Sequence, residues 1–290
     1  MKEYQIKAPA KINLGLRILG RRKDGYHELL SIMVPISLFD NLYLSSSARA
    51  GTRLDCQGRG DLPADTRNLA FRAAQSFQEK TGIREGLHIR LIKNIPIAAG
   101  LGGGSSDAAA TLLALNDMYG HPLKIEELHQ LALELGADVP FFLYSRPALA
   151  RGIGEILDPI ENWVKNWYVT ITPPLQISTV WVYSQLNLEL TSNTDEYIFS
   201  LFNTKSIDIS QVLVNDLEQV TLNRFPVIDT IKKRLADAGA EGAIMSGSGP
   251  TVFGIFSTKE RAQKATDSLI KQELGDIFMV TDWERFSSSK

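Results

Sequence analysis

Pro96-Ile97-Ala98-Ala99-Gly100-Leu101-Gly102-Gly103-Gly104-Ser105-Ser106-Asp107 joins a strand-like run to a helix-like one. Upstream, Leu87, Ile89 and Leu91 alternate with His88 and Arg90, the period-two pattern of a strand over Leu87–Ile95. Downstream, Ala108, Ala109 and Ala110 open a run that reads as a helix from Ala108 to Tyr119, ended by Gly120 and Pro122. Glycine loses the most freedom on ordering, so this density suits a backbone that takes positive φ or approaches a ligand closely. Ser105, Ser106 or Asp107 is expected to cap the helix. Free amides at that end, with the positive end of the helix dipole, favour an anion such as a polyphosphate. A flexible linker before a capped helix is the other reading, but Ile97, Ala98, Ala99 and Leu101 are too apolar for a solvent-washed one.

Known phosphate motifs do not fit this loop. No lysine follows the glycines as G-x-x-x-x-G-K-[ST] requires, and G-x-G-x-x-G fails at Ser105 and Asp107. There is no G-x-S-x-G elbow, and His27-Glu28-Leu29-Leu30-Ser31 is not a zinc-protease motif.

Working outward, strands are expected from Tyr4 to Ile18 (a pair or one bent strand), at Tyr168–Thr172, Thr251–Phe256 and Phe278–Thr281. Helices are expected over Asn68–Lys80, Ile125–Leu135 and Val227–Ala238, with a reciprocal cap opening another at Ser257-Thr258-Lys259-Glu260. Strands and helices mix in both halves, an α+β class rather than regular β-α-β winding. The least patterned stretch is Arg151–Trp167, so the chain divides into 1–158 and 159–290.

A net charge of -2 and a pI near 6.1 argue against a nucleic-acid surface. One cysteine, Cys56, allows no intrachain disulfide, and the four histidines are not spaced for structural zinc. No stretch reaches the ~20 apolar residues of a membrane-spanning helix. The expected compartment is the cytoplasm, with no membrane partner.

Four blocks then carry a resemblance. Pro96–Ala109 resembles the central motif of the GHMP kinases. Ala8–Leu14 with Arg22-Lys23-Asp24-Gly25-Tyr26-His27-Glu28-Leu29 is similar to an N-terminal signature in that family. Gly136-Ala137-Asp138-Val139-Pro140-Phe141-Phe142 resembles its catalytic-aspartate segment, and Met245–Phe253 its C-terminal glycine motif. The form Gly-Leu-Gly-Gly-Gly-Ser-Ser-Asp-Ala-Ala, with its triple glycine, and the Asp24–Leu29 block look most like the branch acting on a cytidine diphosphate-linked polyol. Other members, acting on mevalonate or homoserine, are the alternative. A non-catalytic nucleotide- or RNA-binding module on the same scaffold is a second one, disfavoured by the acidic pI and by retention of Lys11 and Asp138.

The resemblance implies a two-domain fold, with the active site in the cleft between an N-terminal nucleotide domain and a C-terminal α/β sandwich. It implies an ATP-dependent kinase with an alcohol acceptor. Pro96 through Ser106 would hold ATP, with Asn68 and Lys93 near the adenine; read locally, these two are a helix cap and a strand-end surface charge. Asp138 matches the catalytic base, although local sequence alone makes it a turn or capping residue. Lys11 matches the lysine that pairs with that base, where local sequence suggests an exposed lysine.

Asn13, two residues on along the same strand face, can hydrogen-bond the substrate. Tyr26 and His27 are implied to hold the cytosine, with Tyr183 as an opposite stacking face. Gly247-Ser248-Gly249 either approaches the substrate diphosphate or forms a tight turn. Magnesium is expected to arrive on the ATP phosphates with Ser106 Oγ as a ligand, and no dedicated metal cage is expected.

Overall fold

The computed structural model describes residues 3–186 and 212–285. The chain falls into two compact units, each assembled from separated stretches. The first comprises the residues up to Ala10, Leu38–Ile97 and Gly102–Ser145; the second comprises Lys11–Ser37, Ala98–Leu101 and the chain from Arg146 onward. Strands β1 (Glu3–Arg21) and β2 (His27–Ser47) contribute residues to both. The N-terminal alternation is thus one long strand. Its Ala8–Leu16 stretch is buried on both faces.

In the first unit, β3 (Thr52–Gly58) runs parallel to β4 (Gly86–Lys93), which pairs antiparallel with Asn41–Ser47 of β2. Leu42, Leu44, Leu54, Leu87, Ile89 and Leu91 are buried, because alternation sends every second side chain to one face. Helix α1 (Leu69–Thr81) begins at Asn68, whose side chain accepts from the Ala70 amide, and ends at Gly82 in a left-handed conformation.

Helix α2 (Gly103–Met118) packs against α1, α3 (Ile125–Leu135) and α4 (Val139–Tyr144). Its alanines 108–110 and 114 are fully buried and let those neighbours come close. It starts five residues before the expected Ala108. Gly102 is its N-cap, with no side-chain capping bond, and Ser105, Ser106 and Asp107 lie inside its first turns. Propensity disfavours glycine in a helix, but a Cβ on Gly103 would stand 3.1 Å from both Ile95 Cγ2 and Lys93 Nζ. Close packing on the end of β4 therefore selects glycine within the helix.

In the second unit, Leu29–Met33 of β2 pairs with β5 (Ala148–Gly152), which forms a hairpin with β6 (Ile156–Pro159). Gly15 and Leu16 of β1 pair in parallel with β8 (Val214–Asn215). A four-stranded antiparallel sheet has the order β11 (Asp276–Thr281), β7 (Trp167–Thr172), β10 (Val252–Phe256), β9 (Gly242–Met245).

Short helices α5 (Thr179–Ser184) and α6 (Glu218–Arg224) precede α7 (Val227–Asp237) and α8 (Lys259–Leu269), which cover that sheet. Helix α7 buries Ile228, Ile231 and Leu235, each burial contributing about 1.5–3 kcal/mol. The cap of α8 is Thr258, accepting from the Arg261 amide, one residue later than the pattern at Ser257 and Glu260 suggested.

Candidate active site

The second unit gathers Lys11, Asn13, Gly100 and Gly247. Lys11 and Asn13 are adjacent inward residues on β1, 5% and 4% exposed, so Lys11 is not the surface lysine its local sequence suggests. The Lys11 ammonium donates to Asn13 Oδ1 at 2.5 Å. Asn13 Nδ2 donates to Ser31 Oγ at 2.8 Å, which donates onward to Gly15 O at 2.7 Å. The Asn13 amide in turn donates to Ser246 Oγ at 3.3 Å.

Ser246 Oγ also donates to Gly100 O at 3.0 Å, and the Thr251 amide donates to Ala99 O at 3.3 Å. Gly100 has φ 75, and a Cβ there would lie 2.2 Å from Ser246 O. The apolar residues Ala99 and Leu101 are buried, as a packed loop requires.

Gly247 has φ 57 in a turn closed by the Gly249 amide on Ser246 O at 3.0 Å. A Cβ on Gly247 would stand 3.3 Å from Asn13 Oδ1 and 3.6 Å from Lys11 Nζ. Thr179 Oγ1 and Ser248 Oγ are 2.8 Å apart, which ties α5 to this turn. On the same unit the His27 and Tyr183 rings lie 5.1 Å apart at 41°, and Tyr26 is 60% exposed. Burial, helped by the nearby Arg21, lowers the His27 pKa and favours a neutral imidazole. Such a ring can both donate and accept.

The first unit holds Asn68, Lys93, Ser106 and Asp138. Asn68 caps α1 and donates to Pro63 O at 3.1 Å. Lys93 is 4% exposed, which corrects its reading as a surface charge. Its ammonium bonds Asp40, and Asp107 at 2.7 Å. Asp40 also accepts from the Asn94 and Ile95 amides at 2.6 and 2.9 Å. One cluster therefore holds both the strand end entering the loop and the first turns of α2.

Burial pushes the Asp107 carboxyl well above its usual range; Lys93 pulls it back, and Asp40 adds to the rise. For Lys93, burial acts to lower the pKa, but the pull of Asp107 and Asp40 outweighs it and the pKa is raised. Ser106 Oγ is buried with no hydrogen-bond partner. Asp138 occupies the N-cap position of α4 and is half-buried; its side chain makes no capping bond, so the local capping reading finds no support. Among the described residues, no group of three or more His, Cys, Asp or Glu is placed to hold a metal ion, and no helix is long and apolar enough to cross a membrane.

Ser31, Ser246 and Asn215 are polar residues that sequence reasoning missed. Each is bonded to residues distant in sequence, so no local pattern marks it.

Residues 68–146 match the GHMP kinases N terminal domain and residues 204–275 match GHMP kinases C terminal. The chain is 50% identical to 4-diphosphocytidyl-2-C-methyl-D-erythritol kinase of Syntrophotalea carbinolica, over 94% of this chain and 96% of the relative. It is 48% identical to the protein of that name from Geobacter metallireducens, over 97% and 98%. A crystal structure of 4-(cytidine 5'-diphospho)-2C-methyl-D-erythritol kinase superposes with a TM-score of 0.82 at 36% identity, covering 96% of this chain and 98% of that one. Homoserine kinase from Cytophaga hutchinsonii, at 22% identity and a TM-score of 0.78, shares the fold.

Proposed function

The chain belongs to the GHMP kinase family and is an ATP-dependent small-molecule kinase, and from that premise we propose that it phosphorylates the 2-hydroxyl of 4-diphosphocytidyl-2-C-methyl-D-erythritol. This places it in non-mevalonate isoprenoid precursor biosynthesis, acting in the cytoplasm without a nucleic-acid or membrane partner. The carrying observation is the start of α2, where no side chain caps the amides and Ser106 Oγ is buried without a partner. Uncapped amides at the positive end of a sixteen-residue helix suit a polyphosphate.

In this reading Pro96 through Ser106 receives the triphosphate, with Asn68 and Lys93 on the adenine side. Ser106 Oγ would hold magnesium carried on the nucleotide, whose charge would offset that of the phosphate oxygens. Asp138 accepts the proton of the acceptor hydroxyl as its oxygen bonds the γ-phosphorus and the bond to ADP breaks. Lys11 supplies positive charge that favours the deprotonated oxygen. Asn13, Gly247, Tyr26, His27 and Tyr183 are assigned to the substrate, the aromatic group to cytosine. The family segments 68–146 and 204–275 lie on either side of 158/159, the division we propose for the linear sequence.

A coupled assay of ADP release tests this, offering diphosphocytidyl-methylerythritol beside mevalonate and homoserine. Turnover confined to the cytidine-linked alcohol is expected. Faster turnover of mevalonate or homoserine would transfer the assignment to another branch of the family.

A further inference from the structure

The sequence Asn215-Asp216-Leu217-Glu218 has no part in the chemistry above, yet its three polar side chains all point into structure. Asn215 is 8% exposed, and its Nδ2 donates to Met245 O and to Gly247 O, both at 2.8 Å. Its Oδ1 accepts from the Leu217 amide at 3.0 Å, which fixes the amide orientation. Asp216 Oδ2 accepts from the Ile18 amide and Oδ1 from Arg17, both at 2.8 Å. Glu218 Oε1 accepts from the Met245 amide at 3.0 Å, while Oε2 pairs with Lys232 at 2.6 Å. One tetrapeptide thus grips β1 just beyond Lys11 and Asn13, and grips the turn that carries Ser246 and Gly247.

We propose that Asn215 and Glu218 are positioning residues, a brace that holds the Ser246–Gly249 turn at the distance from Lys11 and Asn13 at which the acceptor alcohol binds. Ser246 Oγ and Ser248 Oγ tie the turn to Gly100, Asn13 and Thr179, but Gly247 and Gly249, both at positive φ, carry no side chain, and the carbonyls of Met245 and Gly247 are held by Asn215. A fully occupied carboxamide bridging carbonyls 245 and 247 removes that freedom. The inference rests on the substrate reading given above, because Gly247 matters to catalysis only if the acceptor lies against it.

Two of the variants, Asn215→Asp and Glu218→Gln, keep shape and change donors or acceptors, and a third, Glu218→Ala, removes the acceptor. Asn215→Asp sets a carboxylate against two carbonyl oxygens, and it is expected to raise KM for the cytidine-linked alcohol about tenfold or more at saturating ATP. Hydrogen exchange at the Ser246–Gly249 amides should rise in the same variant. Glu218→Ala should act in the same direction, whereas Glu218→Gln, which retains an acceptor for the Met245 amide, should restore near-normal KM although the Lys232 ion pair is lost.

A folded Asn215→Asp protein with unchanged KM and unchanged exchange overturns the brace, as does a lowered thermal midpoint with KM unmoved. Should Asn215→Asp fail to fold, the Glu218→Ala and Glu218→Gln pair decides by the same readouts. Wild-type protein that leaves the cytidine-linked alcohol unphosphorylated overturns the substrate reading instead, and the exchange measurement still decides whether the turn is held by Asn215.

Discussion

Asp138 sits at the N-cap position of a six-residue helix without a side-chain capping bond, so its chemical reading and its local one can be tested apart. A capping aspartate contributes about 1 kcal/mol to stability; a base contributes to turnover. Asp138→Asn preserves size and removes only basicity, so turnover should vanish while calorimetric ATP affinity stays within about a few-fold, carboxamide and carboxylate being isosteric. Near-normal turnover would show that another group serves as base. Gly100 gives a second test at this scale. Alanine there meets both the positive φ and a backbone oxygen 2.2 Å from its Cβ, so the loop must move. Gly100→Ala is expected to raise KM for ATP about tenfold or more, equivalent to at least about 1.4 kcal/mol of binding. An unchanged KM would show that Gly100 lies away from the phosphates.

The elements divide by how local their causes are. Helices α1 and α3 and strand β7 follow from side-chain periodicity and terminal glycines, and their bounds fall within a residue or two of expectation. The start of α2 does not, because Gly103 lies close against Ile95 and Lys93, contacts that local propensity does not register. For Lys11 and Asn13, strand alternation identifies a shared face but not that β1 is buried on both faces. The loop glycines read as a candidate anion site by composition, whereas the Asp40–Lys93–Asp107 cluster is not legible, since Asp40 is distant in sequence.

That cluster has a pH signature. Asp107 is raised by burial, so the folded state holds its proton above the unfolded value of about 3.9. Its stabilising contribution is complete below that value and is lost as pH climbs through the folded pKa. The Asp107→Asn variant avoids ionising there and keeps Lys93 paired with Asp40. Relative to wild type it should gain stability as pH rises above the usual carboxylate range, read from unfolding midpoints. A difference independent of pH, or one favouring wild type at pH 8, would place the burial effect elsewhere.

At the scale of the whole molecule, linear order and compactness follow different lines. The second unit takes Lys11–Ser37 and Ala98–Leu101 from the front of the chain and the rest from behind Ser145. Many hydrogen bonds of Lys11–Ser37 reach far beyond residue 158. The Ile18 amide donates to Asp216, the Asn13 amide to Ser246, the Trp283 amide to Pro35 O and the Thr281 amide to Ser37 Oγ. A fragment covering 1–158 strands these groups, and an unpaired buried polar group costs roughly 1–3 kcal/mol. A few such losses match a large part of the 5–15 kcal/mol that stabilises an ordinary domain. The 1–158 fragment should therefore unfold in urea without a sharp transition, although it contains every stretch of the first unit. Adding the 159–290 fragment should restore cooperativity, because the missing partners lie there. A sharp, reversible transition from 1–158 alone would mean that Lys11–Ser37 finds sufficient partners within that fragment, and that the compact units are less interdependent in folding than their interleaved chain paths imply.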